Sequence, residues 1–129
     1  HQYAVMCAPT QGQVVAMEAL RHGESDVERM HAEYDRRRRA IVDGFNEIGL
    51  DCVEPHGAFY AFPSIRSTGM TSDDFAEGLL RDERVLVVPG SVFGASGEGH
   101  VRCSYAASLS NIDEALHRIL RYTSRHRAS

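Results

Sequence analysis

The chain has 129 residues, 43% of them hydrophobic and 25% charged, and a net charge of −4 with histidine neutral. That length and composition suit one soluble globular domain with a modest core, and the charge is too mild to argue for nucleic acid or an acidic membrane surface as partner. No apolar run approaches a membrane span and no signal-peptide pattern opens the chain, so no membrane association is expected and a cytoplasmic location is.

Cys7, Cys52 and Cys103 are widely spaced and odd in number, which argues against a disulfide framework or a zinc knuckle. The histidines are scattered with no pair at ligand spacing, so no metal site is expected. The chain opens on His1 instead of Met, which points to a fragment or a processed product. All 14 basic residues are arginine, and there is no lysine.

Residues 1–10 read as extended or loop-like, with Pro9 as a break. Thr10 and Gln13 have capping-box spacing, so a helix is expected from there to about Arg21, with Gly23 just past its end. Ser25 and Glu28 form a second capping box. The long helix it opens carries Val27, Met30, Tyr34, Ile41, Phe45 and Ile48 at three- and four-residue steps, and Gly49 closes it. Arg38 falls on that stripe, where its stem can cover the core while its head reaches solvent. Arg36, Arg37, Arg38 and Arg39 are consecutive and point all round the helix among Glu33, Asp35 and Asp43. They read as a charged face in preference to a nucleic-acid stripe.

Residues 51–54 and 58–62 read as two short strands ended by Pro55 and Pro63 around the turn at His56-Gly57. Thr71 and Asp74 cap the next helix, with Phe75, Leu79 and Leu80 on its apolar side. Residues 85–88 form a continuous apolar run stopped by Pro89-Gly90, which suggests a strand buried on both faces. Gly90, Gly94, Gly97 and Gly99 lack the lysine and Ser/Thr of a phosphate-cradling loop and read as turn chemistry. Then alternation sets in: Val101, Cys103 and Tyr105 point one way, and His100, Arg102 and Ser104 the other. Arg102 on such a face is an ordinary surface arginine or a charged fork suited to gripping a carboxylate. Ser110 and Asp113 cap a last helix whose Ile112, Ala115, Leu116, Ile119, Leu120 and Thr123 share a face. The basic end after it is expected to fray.

The order of elements argues for α+β: a small, mainly antiparallel sheet of about four strands, with helices packed on one face. No repeat or linker divides residues 1–129.

Several blocks across nearly the whole chain resemble class I/II aminotransferases, the pyridoxal-phosphate enzymes of fold type I. HQYAVMCAPTQGQVVAMEAL is similar to the block a few tens of residues after that family's catalytic-lysine segment. YDRRRRAIVDGFNEIG resembles its long helix. PHGAFYAFPSI resembles a hairpin whose aromatic residues approach the substrate pocket. VVPGSVFG with GEGHVRCSYA resembles the C-terminal segment whose arginine binds the substrate α-carboxylate.

The resemblance implies that residues 1–129 are the C-terminal small domain of such an enzyme, without its large cofactor-binding domain. It implies substrate binding by Arg102, and pocket lining by Phe59. Plain core is an equal alternative for Phe59, Tyr60 and Phe62. The parent would be a homodimer moving an amino group between an amino acid and a 2-oxo acid on pyridoxal phosphate. With no lysine for the Schiff base, this chain is expected to hold no catalytic residue, bind no cofactor and be inactive alone. Two alternatives stand beside it: a freestanding non-catalytic carboxylate-binding or dimerisation module, and the same domain of a related pyridoxal-phosphate lyase or regulator.

Overall fold

The computed structural model describes Tyr3 and residues 6–126. Residues 1, 2, 4 and 5 of the stretch expected to be extended, and residues 127–129 at the end expected to fray, lie outside those residues. The chain divides into two compact units, residues 1–33 and 34–129.

In the first unit, helix α1 (Thr10–His22) has no buried residue, and Val14, Val15, Met17 and Leu20 are exposed. Its N-cap is Pro9, one residue before the expected Thr10, with no side-chain cap bond. Gln13 acts at this end as a donor, its side chain bonding the Ala8 carbonyl at 2.8 Å. The Gly23 amide closes the helix on the Ala19 carbonyl, also at 2.8 Å. Helix α2 (Glu24–Glu47) begins one residue before the expected cap Ser25 and runs on into the second unit.

At its far end α2 is stopped as glycine stops helices. Gly49 is left-handed at φ 80°, its amide bonds Asn46, and the Leu50 amide reaches back to Phe45 at 2.9 Å. That seats Leu50 in the core, which also takes Ile41, Val42, Phe45 and Ile48. Helix α3 (Ser72–Glu83) starts at the expected cap. The Thr71 hydroxyl accepts the Asp74 amide at 3.1 Å and donates to the Asp74 carboxylate at 2.7 Å. It buries Phe75 and Leu79, whereas Leu80 faces solvent. Helix α4 (Leu109–Arg125) is capped by Ser108, not Ser110, and buries Ile112, Ile119, Tyr122 and Thr123.

Gly78 lets α3 and α4 meet closely, since a Cβ there would lie 2.0 Å from the Tyr122 phenol oxygen. The same pair of helices is tied by Glu83, which is buried. Arg125 and Arg121 each hold one of its carboxylate oxygens at 2.8 Å, and Arg118 donates to its carbonyl at 3.1 Å. These guanidiniums, Arg125 foremost, keep the Glu83 carboxyl below the usual carboxylate range against the opposing effect of burial.

The sheet has three strands where about four were expected: β1 (Tyr60–Ala61), β2 (Val88–Pro89) and β3 (Val101–Ser104), antiparallel in the order β1-β3-β2. The α+β class stands, since Ala61, Val101 and Cys103 join one buried cluster with the helices. Residues 51–54 are not a strand because their backbone bonds go elsewhere. The Cys52 amide donates to the Asn46 side chain at 2.9 Å, and the Asp51 carbonyl accepts from Ser64 at 2.8 Å. Residues 85–88 are not buried on both faces: Val87 is inside, but Leu86 is 76% exposed beside α4, and pairing with β3 begins only at Val88.

Candidate functional site

The alternation expected around Arg102 is present. Val101, Cys103 and Tyr105 are buried, Ser104 is exposed and Arg102 is half-buried on the outer face of the sheet. Burial pushes the Cys103 thiol up to about 12, which keeps it protonated. Register decides what shares the outer face. Tyr60 lies opposite Ser104, Val88 opposite Arg102, and the bridge from Ser64 to His100 carries the β1–β3 register onward. Phe62 therefore falls on the Arg102 side as well.

The Arg102 guanidinium carbon stands 4.3 Å from the centroid of the Tyr60 ring and 4.9 Å from that of Phe93. Both distances are within cation–π range. Arg38, Arg118, Arg121 and Arg125 each pair with a carboxylate. Among the described residues, none pairs with Arg102. Rings draw the cation to their faces without using its N–H donors, so the fork keeps its capacity for a carboxylate.

Phe93 comes from the loop between β2 and β3, and the sequence places that loop closely. Gly90 and Gly97 cross backbone to backbone: a Cβ at Gly90 would lie 1.9 Å from the Gly97 carbonyl oxygen. Glu98 then fastens the loop to the start of α3, accepting the Ser72 hydroxyl at 2.7 Å and the Ser72 amide at 2.8 Å. Those bonds, the hydroxyl first, hold the Glu98 carboxyl below its usual range. Gly94, at φ 107°, takes a conformation that other residues avoid. The glycines of this loop serve turns and a close crossing.

Phe59 is 40% exposed, and its ring does not reach Arg102. It stacks on Tyr34 at 6.2 Å and packs on Tyr60 at 4.6 Å, so Tyr60 stands between Phe59 and the arginine. On the far side, Phe62 meets Phe93 edge-on at 6.0 Å and stacks on His100 at 5.3 Å. Tyr60 and Phe93 are thus the neighbours of Arg102 that sequence reasoning passed over. Period-two alternation back from Phe62 could have found Tyr60; nothing local could have found Phe93, whose place depends on the Gly90–Gly97 crossing. The arginine run from Arg36 to Arg39 includes pairs from Arg38 and Arg39 to Asp35, and Arg38 also reaches Glu54.

The family model described as "Aminotransferase class I and II" matches residues 2–119. A Bacillus subtilis protein provisionally named an aminotransferase is 59% identical over 122 residues, covering 95% of this chain and 32% of its own length. An aspartate aminotransferase of Pyrococcus abyssi is 48% identical over 119 residues, covering 91% of this chain and 31% of its own. Among solved structures, an aromatic aminotransferase of Pyrococcus horikoshii superimposes with a TM-score of 0.91 at 46% identity, covering 96% of this chain and 34% of that one. The chain spans about a third of the length of the curated relatives it matches.

Proposed function

Since the chain belongs to the class I and II aminotransferase family, we propose that residues 1–129 are the C-terminal small domain of a pyridoxal-phosphate-dependent aminotransferase, with Arg102 as the anchor for the substrate α-carboxylate. The observation that carries this is the state of Arg102: a half-buried guanidinium on a strand, within cation–π distance of two rings, with no carboxylate partner among the described residues. Amino acids and 2-oxo acids share the α-carboxylate, so one arginine serves both halves of an amino transfer. Relatives named for aspartate and for aromatic substrates fit the same point. The side chain of the substrate is then sorted elsewhere.

The residues present do not by themselves fit the cofactor. Pyridoxal phosphate supplies an aldehyde that needs a lysine amine, and this chain has no lysine. The cofactor site is assigned to the rest of a full-length, homodimeric parent. What these residues contribute is binding and orientation, which convert a loose encounter into a fixed geometry. The test is amino transfer by the full-length protein from L-aspartate and from L-phenylalanine to 2-oxoglutarate. Turnover with at least one donor is expected. Binding of carboxylates with no transfer from any amino acid would favour a freestanding module, and elimination without transfer would favour a lyase.

A further inference from the structure

Arg102 differs from the ion-paired arginines in what surrounds it. A carboxylate partner would occupy the donors that a substrate needs and cancel the charge that attracts it. An aromatic face does neither: a guanidinium lying flat on it is attracted across its own plane, and the N–H groups, which lie in that plane, stay available. Tyr60 and Phe93 present such faces at 4.3 and 4.9 Å, from a β-strand and from a loop far from it in sequence. The loop is fixed independently, by the Gly90–Gly97 crossing and by Glu98 on Ser72.

We propose that Tyr60 and Phe93 are positioning residues: they clamp the Arg102 guanidinium in the plane in which it receives the substrate α-carboxylate. A planar fork held before binding loses little freedom when the carboxylate arrives, which lowers the cost of association. The clamp rests on the assignment of Arg102 as carboxylate anchor. It adds that aromaticity at 60 and 93 sets carboxylate affinity. The row continues outward through Phe62 and His100, so the neighbours that brace Phe93 are themselves rings.

The experiment uses the full-length protein with L-aspartate and L-phenylalanine as donors and 2-oxoglutarate as acceptor. Tyr60→Leu and Phe93→Leu are compared with Tyr60→Phe, Phe93→Tyr and Arg102→Ala. Each leucine variant should raise KM for donors and acceptor by about 3- to 10-fold. Their kcat should stay within about 2-fold, the signature of lost binding shared by ground and transition states. Tyr60→Phe and Phe93→Tyr keep the ring faces and should stay within about 2-fold of wild type throughout. Melting temperatures of all variants are read alongside, so that a folding defect is not taken for a binding one. Leucine variants with wild-type KM, next to an Arg102→Ala that loses activity, would overturn the clamp and leave the anchor standing. Arg102→Ala with wild-type kinetics would overturn both. Ring-preserving variants as impaired as the leucines would also overturn the clamp, since packing alone would then explain the loss.

Discussion

Gly90→Ala should be among the costlier single-methyl changes in the molecule. A Cβ at this position would lie 1.9 Å from the Gly97 carbonyl oxygen, 2.6 Å from the His100 carbonyl oxygen and 2.9 Å from the Gly97 carbonyl carbon. All three are backbone atoms, so no rotamer change relieves the contact. The Gly90 amide also bonds the His100 carbonyl at 2.8 Å, which holds the segment where the clash arises. Overpacking of this kind costs about 1–3 kcal/mol. For a domain of about 100 residues that corresponds to roughly 5–20 °C in melting temperature. Gly94→Ala separates torsion from sterics, because φ is 107° there but nothing lies within 4 Å. Gly57→Ala, with open space and no positive φ, is the control. The assay is thermal unfolding followed by circular dichroism. Gly97→Ala meets the same crossing from the other side of the loop, with its Cβ 2.1 Å from the Gly90 carbonyl oxygen. The double variant should therefore lose less than the sum of the singles. A Gly90→Ala melting temperature no lower than that of Gly57→Ala would refute the crossing.

Acid should weaken the fold partly through Glu83, whose folded-state pKa is depressed by Arg125 and Arg121. A depressed carboxylate stabilises fully above its unfolded value of about 4.3 and loses that contribution as pH falls through the folded one. The gap in melting temperature between wild type and Glu83→Gln should be constant above about pH 5 and shrink below about pH 4; a gap unchanged at low pH would contradict the ion pairs. Titration with a thiol reagent should find Cys7 fast, and Cys52 and Cys103 only after unfolding, because both are buried and their thiols are pushed up. Equal rates for all the cysteines in the native chain would contradict that burial. Residues 1–129 mixed with pyridoxal phosphate and reduced with borohydride should carry the cofactor at the N-terminal amine alone, since there is no lysine; labelling after that amine is blocked would refute this.

The fold was legible where one local device decides it. Gly49 and Thr71 end and start helices by themselves, and the 101–105 alternation alone names the face of Arg102. It was not legible where two devices compete or a distant partner chooses. Ser108 and Ser110 are both good caps, and it is Ser108 whose hydroxyl accepts the Asn111 amide. Residues 51–54 look like a strand, but Asn46 takes the Cys52 amide first. The apolar run at 85–88 said nothing about Leu86 lying beside α4 in the open. The candidate site divides the same way. Arg102 could be picked out from its own segment, whereas Phe93 reaches it only through the meeting of Gly90 and Gly97.

The most direct measurement is kcat/KM of the full-length protein with Arg102 replaced by alanine and by lysine, for an amino acid, a 2-oxo acid and an amine that lacks the α-carboxylate. Losing a charge-assisted pair at a site shielded from water costs about 2–5 kcal/mol, or roughly 30- to several-thousand-fold in kcat/KM. Alanine should show that loss for both acids. Lysine should lose less, keeping the charge without the fork. The amine should be much less affected. Stability should be nearly unchanged, because the side chain stands on the outer face of the sheet. Arg102→Ala within a few-fold of wild type toward both acids, or unfolded, would make Arg102 structural and remove the carboxylate anchor.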